Sequence, residues 1–157
     1  MTIAENLVKS LSEKKMTCAV AESCTGGGVG NVITSVPGAS EVFLGGVISY
    51  DNSVKRDVLG VPEDILMKYG AVSAECAAAM AEGARRLLKT DLAVSVTGIA
   101  GPGGGSPEKP VGLVWFGLST ASDVVAEKII FSGDRETVRS SAVEQAIKML
   151  LDSAEKQ

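Results

Sequence analysis

The sequence contains no histidine, and histidine is the base that most serine and cysteine hydrolases use. A Ser-His-Asp triad or a Cys-His pair therefore cannot be assembled from this chain. Zinc sites of the usual kinds are not expected either, because only three scattered cysteines remain, Cys18, Cys24 and Cys76. No cluster of acidic residues indicates a magnesium site. We expect a protein that works without a metal or another cofactor.

Long apolar segments and an excess of positive charge are missing as well. Apolar stretches are interrupted within about ten residues, well short of the roughly 20 that a membrane helix needs. The amino terminus lacks the pattern of a signal peptide, and the formal net charge of −4 gives no sign of a surface for nucleic acid or anionic lipid. An odd number of cysteines without a pairing pattern is typical of a reducing compartment. We therefore expect a cytoplasmic protein with no nucleic-acid or membrane partner.

What the sequence does contain is a series of helix and strand patterns within one predicted domain, residues 1–157. Caps and apolar spacing predict helices that begin at Thr2, Gly26, Ser53, Pro62 and Ser73 and near Asp134. Short apolar runs predict strands at residues 16–22, 41–50, 91–98, 111–118 and 124–131. In the third helix, Ser53 is the expected N-cap and Gly60 the expected end.

The order of these elements indicates the fold class. Helices alternate with strands early in the chain, whereas the last three strands follow one another without a helix between them. This order predicts an α/β fold, a three-layer α/β/α sandwich with a mixed β-sheet. Residues 111–118 and 124–131 are expected to form an antiparallel pair within that sheet.

Three stretches place small polar residues just past the end of a strand: "AESCTGGG", "SYDNSVKRD" and "SVTGIAGPGGGSPEKP". Ligands of open α/β sheets bind outside the carboxyl ends of the strands. We therefore expect the three stretches to converge on one pocket. Thr97 and Gly98, at the end of their strand, are better placed to touch a substrate than the tip of the glycine-rich loop that follows.

The first stretch offers a nucleophile and a place for an anion. Ser23 is the preferred nucleophile, and Cys24 ranks below it because no histidine is present to lower its pKa. Thr25 and Gly26 are candidate substrate contacts, since glycines let the backbone approach a ligand and the next helix aims N–H groups at an anion. The alternative is a tight turn in which Ser23 or Thr25 caps the helix. Neither the P-loop nor the dinucleotide-binding glycine pattern fits.

The second stretch supplies a base. A buried lysine has a lowered pKa and can deprotonate a serine, so Lys55 is the candidate base and Tyr50 a candidate proton relay. The alternative for Lys55 is an ordinary solvated position on a short helix.

Near the carboxyl terminus, Arg135 and Arg139 lie in the first turn of the last helix, where cations are unfavourable. They are candidates for holding a phosphate there, or they pair with neighbouring acidic residues.

Taken together, "AESCTGG", "GGVISYDNSVKRDVLGV", "GAVS", "VTGIAGPGGGSPEKPVGLVWFGL" and "FSGDRETVR" resemble the CinA C-terminal domain family, the bacterial nicotinamide-nucleotide amidases. The similarity extends from about Ala19 to the last helix, in the order and spacing of the family. The chain resembles the stand-alone form, which lacks an additional amino-terminal domain. Each loop alone is a weak signal, whereas five in sequence are specific.

The resemblance implies hydrolysis of nicotinamide mononucleotide to nicotinate mononucleotide and ammonia, in pyridine nucleotide recycling. It makes Ser23 the nucleophile and assigns Tyr50 and Lys55 as its base and proton relay. It also implies that the site is completed by Ser40, Thr97, Gly98 and an arginine, either Arg135 or Arg139, with Arg135 preferred. A homo-oligomer, with a site completed by a neighbouring chain, is a further expectation.

Two other functions fit the same motifs. One is a nucleotide-binding module without catalytic activity that serves DNA uptake or a damage response, as the historical name of the family suggests. The other is hydrolysis of a different small amide or of a phosphoester. The presence of Ser23, Tyr50 and Lys55 favours an enzyme over a binding module.

Overall fold

Five strands form one mixed sheet in the computed structural model, which describes residues 1–157. The strands are β1 (Cys18–Glu22), β2 (Phe43–Ile48), β3 (Leu92–Gly98), β4 (Leu113–Ser119) and β5 (Val124–Ile130). Their order in the sheet is β2-β1-β3-β4-β5. β1 pairs in parallel with β2 and β3, whereas β3 with β4 and β4 with β5 are antiparallel. The predicted mixed sheet and the antiparallel pair of β4 and β5 are confirmed.

Six helices cover the two faces of the sheet. They are α1 (Ile3–Lys14), α2 (Gly28–Thr34), α3 (Asn52–Asp57), α4 (Glu63–Tyr69), α5 (Ala74–Leu88) and α6 (Arg135–Lys156). On one face α6 packs against α1, α2 and β3; on the other, α5 packs against β1, β3 and β4 and is itself contacted by α4. The arrangement is the predicted three-layer sandwich. None of the helices combines the length and the apolar character needed to cross a bilayer.

The apolar faces of the helices create a core on each side of the sheet. The larger core joins α1, α2 and α6 to the sheet and includes Leu7, Ile33 and Phe116. The smaller one lies beneath α5, whose alanines bring its backbone close to the sheet. A Cβ atom at Gly117 of β4 would lie 2.2 Å from the carbonyl oxygen of Ala77 in α5, so the close approach of helix and strand requires glycine there.

Most of the predicted helix starts are confirmed, but two are wrong: α2 begins at Gly28 and not at Gly26, and α3 lacks its predicted cap. The predicted end of α3 at Gly60 is wrong as well, since the helix ends at Asp57. Thr2 forms a complete capping box with Glu5, and the Ser73 side chain accepts a hydrogen bond from the first turn of α5. Ser53 is not the cap of α3, because the helix begins one residue earlier and the Asp51 carboxylate accepts the N–H of Ser53 instead.

Candidate active site

The hydroxyl of Ser23 and the amine of Lys55 meet at the carboxyl end of β1. Ser23 follows β1 directly, and its N–H donates to the carbonyl of Val96 in β3 at 2.9 Å. Lys55 lies on α3, in the segment after β2, and its Nζ is 3.0 Å from the Oγ of Ser23. Two residues that are far apart in sequence are thus joined, because parallel strands bring their following segments to one edge of the sheet.

Lys55 is buried to an unusual degree for a lysine, with 1 % of its surface exposed. Its Nζ also donates to the carbonyl of Tyr50 at 2.9 Å, and it forms no ion pair. Burial lowers the pKa of Lys55 from its ordinary value of 10.5, and the charges of Cys76, Asp51 and Cys24 oppose that shift. Burial therefore makes the neutral amine, the form that accepts a proton from a serine, easier to reach than in a solvated lysine.

A small cavity opens beside this pair, with a volume of about 200 Å³. Its lining contains two basic side chains, those of Lys55 and Arg135, and no carboxylate. The lining residues are Ser23, Cys24, Tyr50, Asn52, Lys55, Ala71, Val72, Thr97, Gly98, Ala100 and Arg135. Residues from all three polar stretches of the sequence are therefore brought together, in a cavity with positive character inside a protein of negative net charge.

Tyr50 contacts Lys55 through its backbone carbonyl and not through its phenol hydroxyl. The side chain is 64 % exposed, and its hydroxyl makes no hydrogen bond in the structure, whereas the carbonyl accepts a hydrogen bond from Lys55. Thr97 is buried, and its hydroxyl donates to the carbonyl of Ala71 at 3.0 Å. Thr97 thus ties the end of β3 to the segment before α5, and Gly98 follows it in the cavity wall.

The two arginines of α6 have different positions. Arg135 lines the cavity, and one of its guanidinium nitrogens donates to the carbonyl of Gly101 at 2.8 Å. Arg139, one helical turn later, lies outside the lining and donates to the carbonyls of Cys24 at 3.0 Å and Thr25 at 3.2 Å. Arg135 remains available to a ligand, whereas Arg139 holds the turn that follows Ser23.

The glycine turn before α2 does not offer its N–H groups to a substrate, contrary to the sequence prediction. The N–H of Gly26 donates to the carbonyl of Ser23, and the N–H of Gly28 to that of Thr25. The N–H groups of Gly27, Val29 and Gly30 donate to the buried carboxylate of Glu22. The protein therefore supplies its own anion at this helix end, in the place expected for a ligand.

The predicted substrate contacts of Gly26 and of the Thr25 side chain are corrected as a result. The hydroxyl of Thr25 faces away from the cavity and donates to Glu22 at 2.6 Å, and neither Thr25 nor Gly26 lines the cavity. Gly26 and Gly27 have φ angles of 60° and 105°, a left-handed conformation that glycine adopts without strain. These glycines shape the turn, and nothing indicates that they contact a ligand.

Glu22 was missed by the sequence analysis, although a signal was present. It is an acidic residue at the end of an otherwise apolar strand, and the helix that follows begins at Gly28 with no polar side chain at its N-cap. A helix without a local cap needs acceptors from elsewhere in the chain. An acidic residue just upstream of the helix, here Glu22, supplies such acceptors.

Two donors next to the nucleophile remain free. The N–H groups of Cys24 and Thr25 have no acceptor within the protein, whereas the neighbouring N–H groups on both sides are bonded. Free backbone N–H groups directly after a nucleophile are suited to stabilise a developing oxyanion.

Ser40 is not part of the cavity within one chain. It is an exposed residue of a single 3₁₀ turn, Ala39–Glu41, that immediately precedes β2. Because β2 runs parallel to β1, the start of β2 lies at the edge opposite to the one that carries Ser23. The motif that contains Ser40 is close to the site in sequence, but the direction of the strand separates them.

The cysteines are ill suited to act as nucleophiles or metal ligands. Burial raises the pKa of Cys24 to about 11, that of Cys76 to about 11 and that of Cys18 to about 12, so all three are protonated near neutral pH. All three are free thiols. No group of three or more potential metal-binding side chains lies together in the structure.

A model of the CinA C-terminal domain matches residues 1–154. The chain belongs to the CinA C-terminal domain family. A CinA-like protein of Pseudothermotoga lettingae is 46 % identical over 151 residues, which are 96 % of this chain and 37 % of that protein. A CinA-like protein of Synechococcus sp. (strain CC9311) is 62 % identical over 114 residues, which are 73 % of this chain and 27 % of that protein. The chain thus spans well under half the length of these curated CinA relatives.

Solved structures of the CinA superfamily have the same fold. The competence/damage inducible protein CihA from Agrobacterium tumefaciens superposes with a TM-score of 0.93 at 38 % identity, covering 96 % of this chain and 92 % of that one. A CinA superfamily protein from Klebsiella pneumoniae superposes with a TM-score of 0.94 at 29 % identity, covering 99 % and 97 %. The resemblance noted in the sequence motifs is confirmed at the level of family and fold.

Proposed function

We propose that this chain hydrolyses the carboxamide of nicotinamide mononucleotide to give nicotinate mononucleotide and ammonia, as part of pyridine nucleotide recycling. The supporting observation is the 3.0 Å contact between a serine hydroxyl and a buried lysine amine at the wall of a cavity without acidic side chains. Amide hydrolysis needs an activated nucleophile and donors for an oxyanion. Ser23 with Lys55 meets the first need, and the free N–H groups after Ser23 meet the second.

In the first half of the reaction, the Oγ of Ser23 attacks the carboxamide carbon while its proton moves to the neutral Nζ of Lys55. The carbonyl oxygen becomes an oxyanion and accepts hydrogen bonds from the N–H groups of Cys24 and Thr25. When the carbon–nitrogen bond breaks, Lys55 returns the proton to the leaving nitrogen, which departs as ammonia. The acyl group remains as an ester on Ser23.

In the second half, water takes the place of ammonia. Lys55 is again neutral and accepts a proton from this water as the water oxygen attacks the ester carbon. The bond between the acyl carbon and the Oγ of Ser23 breaks, and Lys55 returns its proton to the serine. The immediate products are the pyridine carboxylic acid and the enzyme in its initial protonation state. The acid ionises to the carboxylate, and the released ammonia takes up its proton, so no metal or redox step is needed to balance the reaction.

The charge of the cavity agrees with an anionic substrate. A 5′-phosphate is a dianion and is bound well by the planar guanidinium of an arginine. Arg135 is the arginine of the cavity lining, so we assign the phosphate to Arg135. The volume of about 200 Å³ is below the roughly 300–1,000 Å³ of typical ligand pockets. We therefore expect the pyridine carboxamide inside the cavity and the ribose phosphate along its mouth.

Ammonia release from nicotinamide mononucleotide by the purified protein tests this function. We expect turnover by the wild type and loss of turnover in Ser23→Ala with the fold intact. Arg135→Gln is expected to raise the KM for the nucleotide while leaving kcat largely unchanged. A panel of simple amides and phosphoesters, measured in parallel, distinguishes the proposed substrate from another small amide or ester. Near-normal turnover by Ser23→Ala would refute the assignment of the nucleophile.

A second candidate is a nucleotide-binding module without catalysis in competence or a damage response. It is favoured by the name of the Agrobacterium tumefaciens relative, a competence/damage inducible protein. The same cavity would serve such a module. Binding of nicotinamide mononucleotide without release of ammonia, measured by calorimetry, would support this candidate over the enzyme.

A homo-oligomer is also part of the proposal. Ser40 reaches a cavity only from a second copy of the chain, because its own cavity lies at the opposite edge of the sheet. Light scattering of the purified protein measures the assembly. If Ser40 completes the site of a neighbouring copy, Ser40→Ala lowers turnover of an oligomer; a fully active monomer would exclude this contribution.

A further inference from the structure

Glu22 is a buried carboxylate without a cationic partner, directly next to the proposed nucleophile. It is 1 % exposed and takes part in no salt bridge. Its Oε1 accepts hydrogen bonds from the Thr25 hydroxyl at 2.6 Å, the Gly27 N–H at 3.2 Å and the Val29 N–H at 2.8 Å. Its Oε2 accepts the N–H of Gly30 at 3.0 Å. A buried charge is tolerated when hydrogen bonds satisfy it in this way.

The four donors belong to the turn and helix that follow Ser23. The carboxylate therefore draws the first turn of α2 back toward the end of β1 and fixes the path of the chain between them. The N-cap of α2, Gly27, has no side chain to satisfy these N–H groups. Glu22 replaces the missing cap from five residues upstream, and its negative charge is favourable at the amino end of the helix.

Arg139 holds the same turn through the opposite kind of backbone group. Its guanidinium donates to the carbonyls of Cys24 and Thr25, whereas Glu22 accepts from N–H groups of the residues that follow. Glu22 and Arg139 make these hydrogen bonds without using the N–H groups of Cys24 and Thr25, which have no acceptor in the protein. These two N–H groups are the donors to the oxyanion in the proposed reaction.

Glu22 has no direct contact with the reacting groups. It is absent from the cavity lining, and its oxygens bond to the turn and not to the hydroxyl of Ser23 or the amine of Lys55. It therefore acts on the reaction through the position of the turn, and it is not a proton acceptor in the reaction.

We propose that Glu22 is a positioning residue, whose carboxylate fixes the turn after β1 so that the Ser23 hydroxyl meets Lys55 and two backbone N–H groups stay free for the oxyanion. The proposal rests on the serine chemistry proposed above, but not on the identity of the substrate. Small displacements of reacting groups lower the reaction rate strongly, by roughly a hundredfold for a shift of about 1 Å.

The test measures the reactivity of Ser23 directly, with a fluorophosphonate probe. In this reaction the Oγ of Ser23 forms a bond to phosphorus, the phosphorus–fluorine bond breaks to release fluoride, and the serine proton goes to Lys55. The site of labelling is established by peptide mass spectrometry. The maximal labelling rate and the probe concentration for half-maximal rate are measured separately, over a range of pH.

Glu22→Gln keeps the shape of the side chain but removes the charge and turns one acceptor into a donor that opposes an N–H group. We expect the maximal labelling rate to fall at least roughly tenfold, with the half-maximal probe concentration and the pH midpoint of labelling little changed. The pH midpoint belongs to Lys55, and Glu22 does not contact it. Thr2→Ala, which removes the cap of α1 far from the site, controls for a general loss of stability.

Thr25 provides a second test if Glu22→Gln does not fold. Thr25→Val removes the hydroxyl that donates to Glu22, whereas Thr25→Ser keeps it. We expect the valine variant to label more slowly and the serine variant to label like the wild type. Equal rates for both, or a labelling rate of folded Glu22→Gln within twofold of the wild type, would overturn the proposal.

The outcomes separate this inference from the proposed function. If wild-type Ser23 is labelled but nicotinamide mononucleotide releases no ammonia, the substrate is wrong and the inference on Glu22 is still tested by the probe. If ammonia is released and Glu22→Gln labels normally, only the inference fails. Absence of labelling at wild-type Ser23 overturns the nucleophile and the inference together.

Discussion

Replacement of Lys55 by methionine is the most direct test of the catalytic pair. Methionine fills a similar apolar volume but has no basic nitrogen, so the Oγ of Ser23 loses its only partner side chain. The other basic side chain of the cavity lining is Arg135, whose guanidinium has only hydrogen-bond donors and cannot replace the base. No carboxylate lines the cavity, and the chain has no histidine.

The magnitude follows from the loss of a general base, which typically contributes 10²–10⁴-fold to the rate. We expect Lys55→Met to lower kcat by roughly 10³-fold, which corresponds to about 4 kcal/mol of activation free energy. Because Ser23 and Lys55 act as one unit, the double variant with Ser23→Ala is expected to be no slower than Ser23→Ala alone. The assay is the release of ammonia from nicotinamide mononucleotide under saturating conditions.

A control on the same helix separates chemistry from charge and folding. Arg56→Met removes the neighbouring cation of α3, which is exposed and pairs with Asp57 and Glu63 at the surface. Exposed pairs of this kind contribute little to stability, so we expect this variant to keep its activity. If folded Lys55→Met retains more than about a tenth of the wild-type kcat, against the hundredfold or greater loss expected of a general base, another group is the base.

Three further predictions concern pH, thiol chemistry and packing. Activity requires neutral Lys55, so kcat/KM rises with pH along a limb whose midpoint is below the ordinary lysine pKa of 10.5; a profile that falls with rising pH in this range contradicts the assignment. Cys24→Ala keeps kcat within about threefold, since a thiol with a pKa raised to about 11 is protonated near neutral pH. Gly117→Ala destabilises the fold by about 1–3 kcal/mol in urea unfolding, because the new Cβ meets the carbonyl of Ala77.

The thiol and packing predictions can each be contradicted by a specific result. A thousandfold loss in Cys24→Ala would indicate that the thiol and not the hydroxyl is the nucleophile. Gly103→Ala is the control for packing, since a Cβ there has no atom within 4 Å, and its unfolding free energy is expected to change by less than about 0.5 kcal/mol. If the two glycine variants are equally stable, the close contact between α5 and β4 is not as described.

The sequence alone determined the order and type of the elements and the kind of chemistry available. The spacing of apolar residues in each segment indicates which face is buried. Caps such as Thr2 and Ser73 mark helix starts through hydrogen bonds between residues only three positions apart. The absence of histidine left lysine as the base for a serine, and the position of Lys55 after a strand suggested where it lies. These patterns depend on residues that are close in sequence, so they can be predicted without the tertiary structure.

Only the tertiary structure decided which residues meet. It placed Arg135 in the cavity and set Arg139 against the turn after Ser23, although the two lie only one helical turn apart in α6. It put the carboxylate of Glu22 where a ligand was expected at the start of α2, and it moved Ser40 to the far edge of the sheet. These outcomes depend on strand direction and on contacts between residues up to 115 positions apart, and no local periodicity encodes them.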